Sequence, residues 1–276
     1  MFEIFQYDFM INAILASLLA SVAFGIVGSF IVVKRISFIA GGISHTAYGG
    51  IGLGYLLGFN PMYGAVGFSI LAATIIAFLR KEKYRYEDTL IGIMWSLGMA
   101  LGVLFVNLSP GYAPNLMSYL FGNILIIPTS ELYMMIFLDV VIVLCMVMFF
   151  NQFQAIAFDE EFARAIGLKV DFYFYILFII IALTTVVLIK LVGIILVIAL
   201  LTIPGAISLH YVKSLKSMII LSSIIGFVFN IIGLIISYYL NLSSGATIII
   251  IAVIFYLLSL LLVKIKNKKK IMVLNN

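Results

Sequence analysis

Nine stretches of this chain, at residues 9–33, 36–57, 62–79, 89–108, 132–150, 172–189, 191–210, 217–240 and 245–263, run on with almost no ionisable side chain. Such runs leave few ways to fold. An α-helix rises 1.5 Å per residue, so about twenty residues cross the roughly 30 Å hydrocarbon core of a bilayer. In lipid every backbone polar group must be satisfied internally, which leaves helices and closed barrels. A barrel strand alternates over about ten residues, and these runs are longer and uniformly apolar. The composition agrees, with 65% of 276 residues hydrophobic and 10% charged, against about 25% charged in soluble domains. The expected fold class is all-α, a polytopic membrane protein of about nine transmembrane helices.

The net charge of +5 comes from short clusters of lysine and arginine between apolar runs. That is a topology signal, not a nucleic-acid surface. Lys264, Lys266, Lys268, Lys269 and Lys270 predict a basic cytoplasmic tail over 264–276. Walking back, Lys213 and Lys216, the loop with Arg164 and Lys169, the cluster Arg80, Lys81, Lys83 and Arg85, and Lys34-Arg35 all fall inside. Nine spans then place the acidic N-terminus outside. Glu3 and Asp8 with no nearby Lys or Arg do not make a signal peptide, so the first run is expected to stay as a span. Lys190 alone falls on the outer side, where it can snorkel. Cys145 is the single cysteine, so no internal disulfide forms. The whole chain, 1–276, reads as one transmembrane domain.

Residues 116–127 are apolar but too short to span, and the charge pattern needs both ends outside. They predict a short re-entrant or interfacial helix, the alternative being an ordinary outer-loop helix.

The second run carries the chemistry. ISFIAGGISHTAYGGIGLGYLL places His45 with Gly41 and Gly42 one turn before it and Gly49 and Gly52 one and two turns after, on one helix face. Glycines there weaken a helix but permit close backbone approach. An ionisable group inside a membrane segment marks a candidate functional site, and neutral imidazole suits zinc, copper and iron. A packing hydrogen bond and a proton relay are the alternatives. Asp139 in the fifth run needs a partner from elsewhere, and a bound cation would serve. In the seventh run Thr202, Pro204 and Gly205 predict a kink or gate, since proline removes an i to i−4 hydrogen bond.

The cytoplasmic segment 155–168, AIAFDEEFARAIGL, predicts a short helix. Asp159 caps it, Glu160 and Glu161 occupy its first turn, Ala163 lies within it and Gly167 closes it. Phe158, Phe162 and Ile166 recur every four residues as an apolar stripe. That stripe fits a protein cleft better than a membrane surface, because the adjacent acids disfavour an anionic leaflet. The chain holds no GxxxxGK[ST] motif, so ATP hydrolysis would belong to another subunit.

Four segments, at 28–58, 119–125 (YLFGNIL), 157–168 and 192–209, together resemble the permease subunit of bacterial ATP-binding-cassette importers for divalent metals. The resemblance implies a vitamin B12-importer-like homodimer in the bacterial inner membrane. Two cytoplasmic ATPase subunits would dock on 158–167, and an extracytoplasmic binding protein would deliver the metal. Family members carry an aspartate four residues before the histidine. Here that position is Gly41, so His45 must act with groups from other spans such as Asp139. Losing an oxygen ligand shifts the expected cargo towards zinc, ahead of manganese or iron. Two other classes fit less well: a gradient-driven secondary transporter of a small cation, whose paired broken helices have no clear counterpart here, and a membrane enzyme using His45, for which convergent ligands are lacking.

Overall fold

The computed structural model describes residues 7–81, 87–110 and 116–274. Glu3, Lys83 and Arg85, which entered the charge argument, lie outside them. Among the described residues the chain is all helical: α1 (Asp8–Lys34), α2 (Ser37–Leu57), α3 (Pro61–Lys81), α4 (Glu87–Leu108), α5 (Leu116–Phe121), a 3₁₀ turn (Ile124–Ile126), α6 (Thr129–Met148), α7 (Phe150–Phe158), α8 (Glu160–Ala165), α9 (Val170–Val192), α10 (Val197–Leu209), α11 (Leu215–Leu240) and α12 (Ser244–Leu274). Residues 264–274 continue α12 as helix.

Among the described residues seven helices, α1, α3, α4, α6, α9, α11 and α12, are long and apolar enough to cross a membrane. Nine were expected, and the two exceptions have different causes. The 21 residues of α2 are enough to span, but Gly, Ser, Thr and His dilute its apolarity. It can bear them because residues 39–52 are buried against protein. The predicted span 191–210 does not exist as one helix. Leu191 and Val192 finish α9, the chain turns at Gly193 with φ +77°, and α10 keeps only 13 residues, about 20 Å of helix.

The centre of the bundle is α1 with α9. α1 packs on α6, α9, α10 and α11, and α9 packs on α1, α2, α3 and α6. α2 sits between α3 and α4, and glycines set its distance from both. A Cβ on Gly50 would strike the Gly64 carbonyl of α3, and one on Gly98 of α4 would strike the backbone of Thr46. On the face where the glycine spacing predicts close approach, a Cβ on Gly52 would likewise strike the Gly102 backbone of α4.

The short segment after α4 meets the break after α9. Ile194 N donates to Tyr119 O (2.9 Å), Ile195 N to Leu120 O (3.3 Å) and Asn123 N to Lys190 O (3.2 Å). Ile124 N donates to Ser244 Oγ at 3.0 Å. Two interrupted pieces of backbone thus satisfy one another within protein, the condition under which non-helical backbone is tolerated at membrane depth.

Candidate translocation site and coupling surface

His45 lies in the middle of α2 and is buried. Its imidazole stacks on the indole of Trp95 from α4, with centroids 3.8 Å apart and planes at 14°. Nδ1 is buried without a hydrogen-bond partner. A Cβ on Gly41 would lie 2.6 Å from Ile198 Cδ1 and 2.9 Å from Trp95 Cζ3. The indole and Ile198 therefore crowd the space that a side chain at position 41 would need. Absence of a carboxylate at 41 and presence of the stacked indole are one arrangement, and no sequence signal tied Trp95 to His45.

Asp139 is buried on α6, with Oδ1 unpartnered. α6 packs on α1, α7 and α9, whereas α2 packs chiefly on α3, α4, α9 and α10. The fold does not bring Asp139 and His45 together as a packed pair. Among the described residues no group of three or more His, Cys, Asp or Glu side chains could hold a metal ion.

Thr202, Pro204 and Gly205 lie inside α10, which runs unbroken through the proline. The helical backbone is interrupted upstream, at Gly193. The Thr202 hydroxyl donates to Ile198 O at 2.7 Å and so does not cover the Leu200 carbonyl that proline leaves free. Gly205 lets α10 approach Gly28 of α1.

The segment 155–168 folds largely as its residues predict, but in two pieces. α7 ends at Phe158, Asp159 is extended, and its carboxylate accepts from Phe162 N at 2.9 Å to cap α8. Gly167 takes φ +85° and closes the helix. Phe158, Phe162 and Ile166 are 63%, 58% and 55% exposed, Asp159 and Glu161 are exposed beside them, and Ala163 is buried beneath. Arg164 forms a two-pronged ion pair with Asp171, at 2.6 and 3.2 Å.

Glu160 departs from the expectation of a surface acid. Its Oε1 accepts from Lys34 Nζ at 2.5 Å, and both oxygens accept from Arg80 Nη2 at 2.8 Å. The Arg80 guanidinium stacks on the Phe174 ring at 3.4 Å. Burial favours the protonated form of Glu160, but hydrogen bonds from Lys34 and Arg80 outweigh it and hold the carboxyl below its ordinary value of 4.5. A group depressed in the folded state contributes stability above its ordinary pKa and loses it as pH falls further. The clamp is therefore intact at neutral pH and releases only in acid.

The sequence also concealed an ion pair. Lys190 does not snorkel: it meets Glu131 at 2.7 Å, the two side chains 18% and 14% exposed, and lies 4.3 Å from the Tyr119 ring centroid. Removing one partner from a mostly buried pair strands the other. Glu131→Ala is expected to destabilise the protein by about 3 kcal/mol, and Glu131→Gln with Lys190→Met to recover most of that. Thermal unfolding in detergent reads both, and equal destabilisation by the single and double variants would contradict the pairing.

Comparison with known proteins places this arrangement. The ABC 3 transport family matches residues 6–263. The chain is 48% identical to the uncharacterized membrane protein slr2045 of Synechocystis sp., over 94% of this chain and 92% of that one. It is 35% identical to the manganese import system permease protein ScaB of Streptococcus gordonii, covering 92% and 91%. The solved structure of PsaBC from Streptococcus pneumoniae in complex with Fab superposes with a TM-score of 0.84 at 35% identity, covering 92% and 91%. The chain belongs to the ABC 3 transport family, among the multi-pass membrane permeases of ATP-binding-cassette importers for divalent metal ions, which are transport subunits and not enzymes.

Proposed function

We propose that two copies of this chain form a central pathway in which the transported metal passes the two His45 side chains. The observation that carries this reading is the buried Nδ1 of His45, which no protein group uses. One imidazole per copy is an incomplete coordination shell, which favours a site shared between copies. Weak, incomplete binding also suits a transit site, from which the ion must leave. Manganese is the first reading of the cargo, supported by the name of the relative ScaB. Zinc is the second, with iron behind it, because no carboxylate joins the imidazole and borderline-soft metals favour nitrogen donors. Asp139 is a separate candidate contact on α6.

The orientation proposed has the N-terminus outside and the C-terminus in the cytoplasm of a bacterial cell, in keeping with the basic clusters. Two cytoplasmic ATPase subunits dock on the stripe of Phe158, Phe162 and Ile166, and an extracytoplasmic binding protein delivers the ion. ATP binding closes the ATPases and moves α8, the permeases rock to alternate the open side, and α10, with Thr202, Pro204 and Gly205 against α1, serves as a gate. The test is metal content of cells that depend on this permease. His45→Ala should lower accumulation of the cargo about tenfold or more, manganese and zinc being measured together to identify it. Unchanged accumulation of both would return His45 to packing against Trp95.

A further inference from the structure

Glu160 sits among exposed residues of the coupling segment, yet it turns inward and is itself 30% exposed. What it holds is specific. Lys34 is the last residue of α1, three residues before α2 starts at Ser37, and Arg80 is the penultimate residue of α3. The two cations therefore stand at the two ends of the α2–α3 hairpin, and one carboxylate grips both. Phe174 of α9 lies beneath them, 3.4 Å from Arg80 and 5.4 Å from Lys34. Lys34 Nζ also donates to Ile156 O of α7 at 3.1 Å. Among the described residues α8 packs chiefly on α7 and α9. The Glu160 side chain links it to the hairpin. That hairpin carries His45 on α2 and is drawn together through Gly50 and Gly64.

We infer that Glu160 is a positioning residue for transport: it ties the coupling helix to both ends of the hairpin that bears His45. Displacement of α8 by a docked partner then reaches the two ends of the α2–α3 hairpin through Lys34 and Arg80, and not through α7 and α9 alone. The role is distinct from docking, since Phe158, Phe162 and Ile166 present the surface while Glu160 faces the bundle. It rests on the proposed coupling to ATPase subunits. Charge-assisted hydrogen bonds from two cations to one carboxylate in a partly buried network suit the task because they resist stretching. The Arg80 guanidinium, stacked on Phe174, would not be replaced by lysine without loss.

The experiment uses the assembled permease–ATPase complex in proteoliposomes, reading complex recovery, ATP hydrolysis and metal uptake in parallel. Glu160→Gln should assemble and hydrolyse ATP like wild type, while metal moved per ATP falls about tenfold or more, as for lost charge-assisted hydrogen bonds. The swap Glu160→Arg with Arg80→Glu, made together with Lys34→Met so that no cation faces the new arginine, keeps one opposite-charge contact and should restore at least part of the coupling, a rescue that also serves if Glu160→Gln folds poorly. Normal metal per ATP in Glu160→Gln, or no rescue by the swap, overturns the inference. Loss of complex in Glu160→Gln with docking restored by no variant also overturns it, by making Glu160 a docking residue. Wild-type uptake that ignores ATP would instead sink the reading on which it rests.

Discussion

Gly193→Ala is expected to yield a protein that no longer purifies as a single species, because three costs fall on one position. The backbone there has φ +77° and ψ +162°, a region populated essentially by glycine alone, at about 1–3 kcal/mol for any other residue. The new Cβ would strike Leu120 O and Gly122 N, which are backbone atoms and cannot rotate away. Moving them breaks the bonds from Ile194 N to Tyr119 O and from Ile195 N to Leu120 O, and buried backbone groups left unpaired cost about 1–3 kcal/mol each. A loss of about 4 kcal/mol or more lowers the melting temperature by roughly 10 °C at this size. Gly167→Ala is the control. It also has positive φ, +85°, but a Cβ there meets nothing within 4 Å, so only the strain is felt. Equal thermal shifts for the two variants would show that the contact between α5 and the α9–α10 break carries no stability.

The second large effect is functional and leaves the fold alone. Phe162→Asp is expected to abolish ATP-driven uptake with little change in thermal stability, since the ring is mostly exposed. At the centre of a docking surface a large aromatic is the residue type most often worth 2 kcal/mol or more, and a buried unpaired carboxylate adds a further penalty. Recovery of the ATPase with tagged permease should fall about thirtyfold or more. Undiminished recovery would move the docking surface elsewhere.

These effects differ in how far the sequence announced them. The short helix α8 was legible because its signals are local: Asp159, the acids of the first turn, Gly167 and a four-residue apolar repeat all lie within a few residues of one another. The glycine face of α2 was legible for the same reason, as its spacing states that something approaches. The break at Gly193 was hidden, because VGIIL reads as a continuation of an apolar run and Pro204 offered a louder signal downstream. What fixes Gly193 is Leu120 and Gly122, some seventy residues earlier. Glu160 does stand in the first turn as read, but its clamp was hidden for the same physical reason: its partners lie 126 and 80 residues away, and a first-turn acid looks the same whether it caps, solvates or clamps. Lys190 did leave a trace, as the one cation on the wrong side of the charge pattern, and Glu131 is the answer to it. At position 41 the missing carboxylate was visible, but the indole that crowds its place comes from another helix.

The most direct test is uptake of radiolabelled manganese and zinc into proteoliposomes holding this permease with its ATPase partner, binding protein outside and ATP supplied to the ATPase face. Uptake of one of the two metals should require hydrolysable ATP and be lost in His45→Ala and in Phe162→Asp, while both variants remain folded. Uptake by the permease alone, indifferent to ATP and to Phe162, would contradict ATP-driven import.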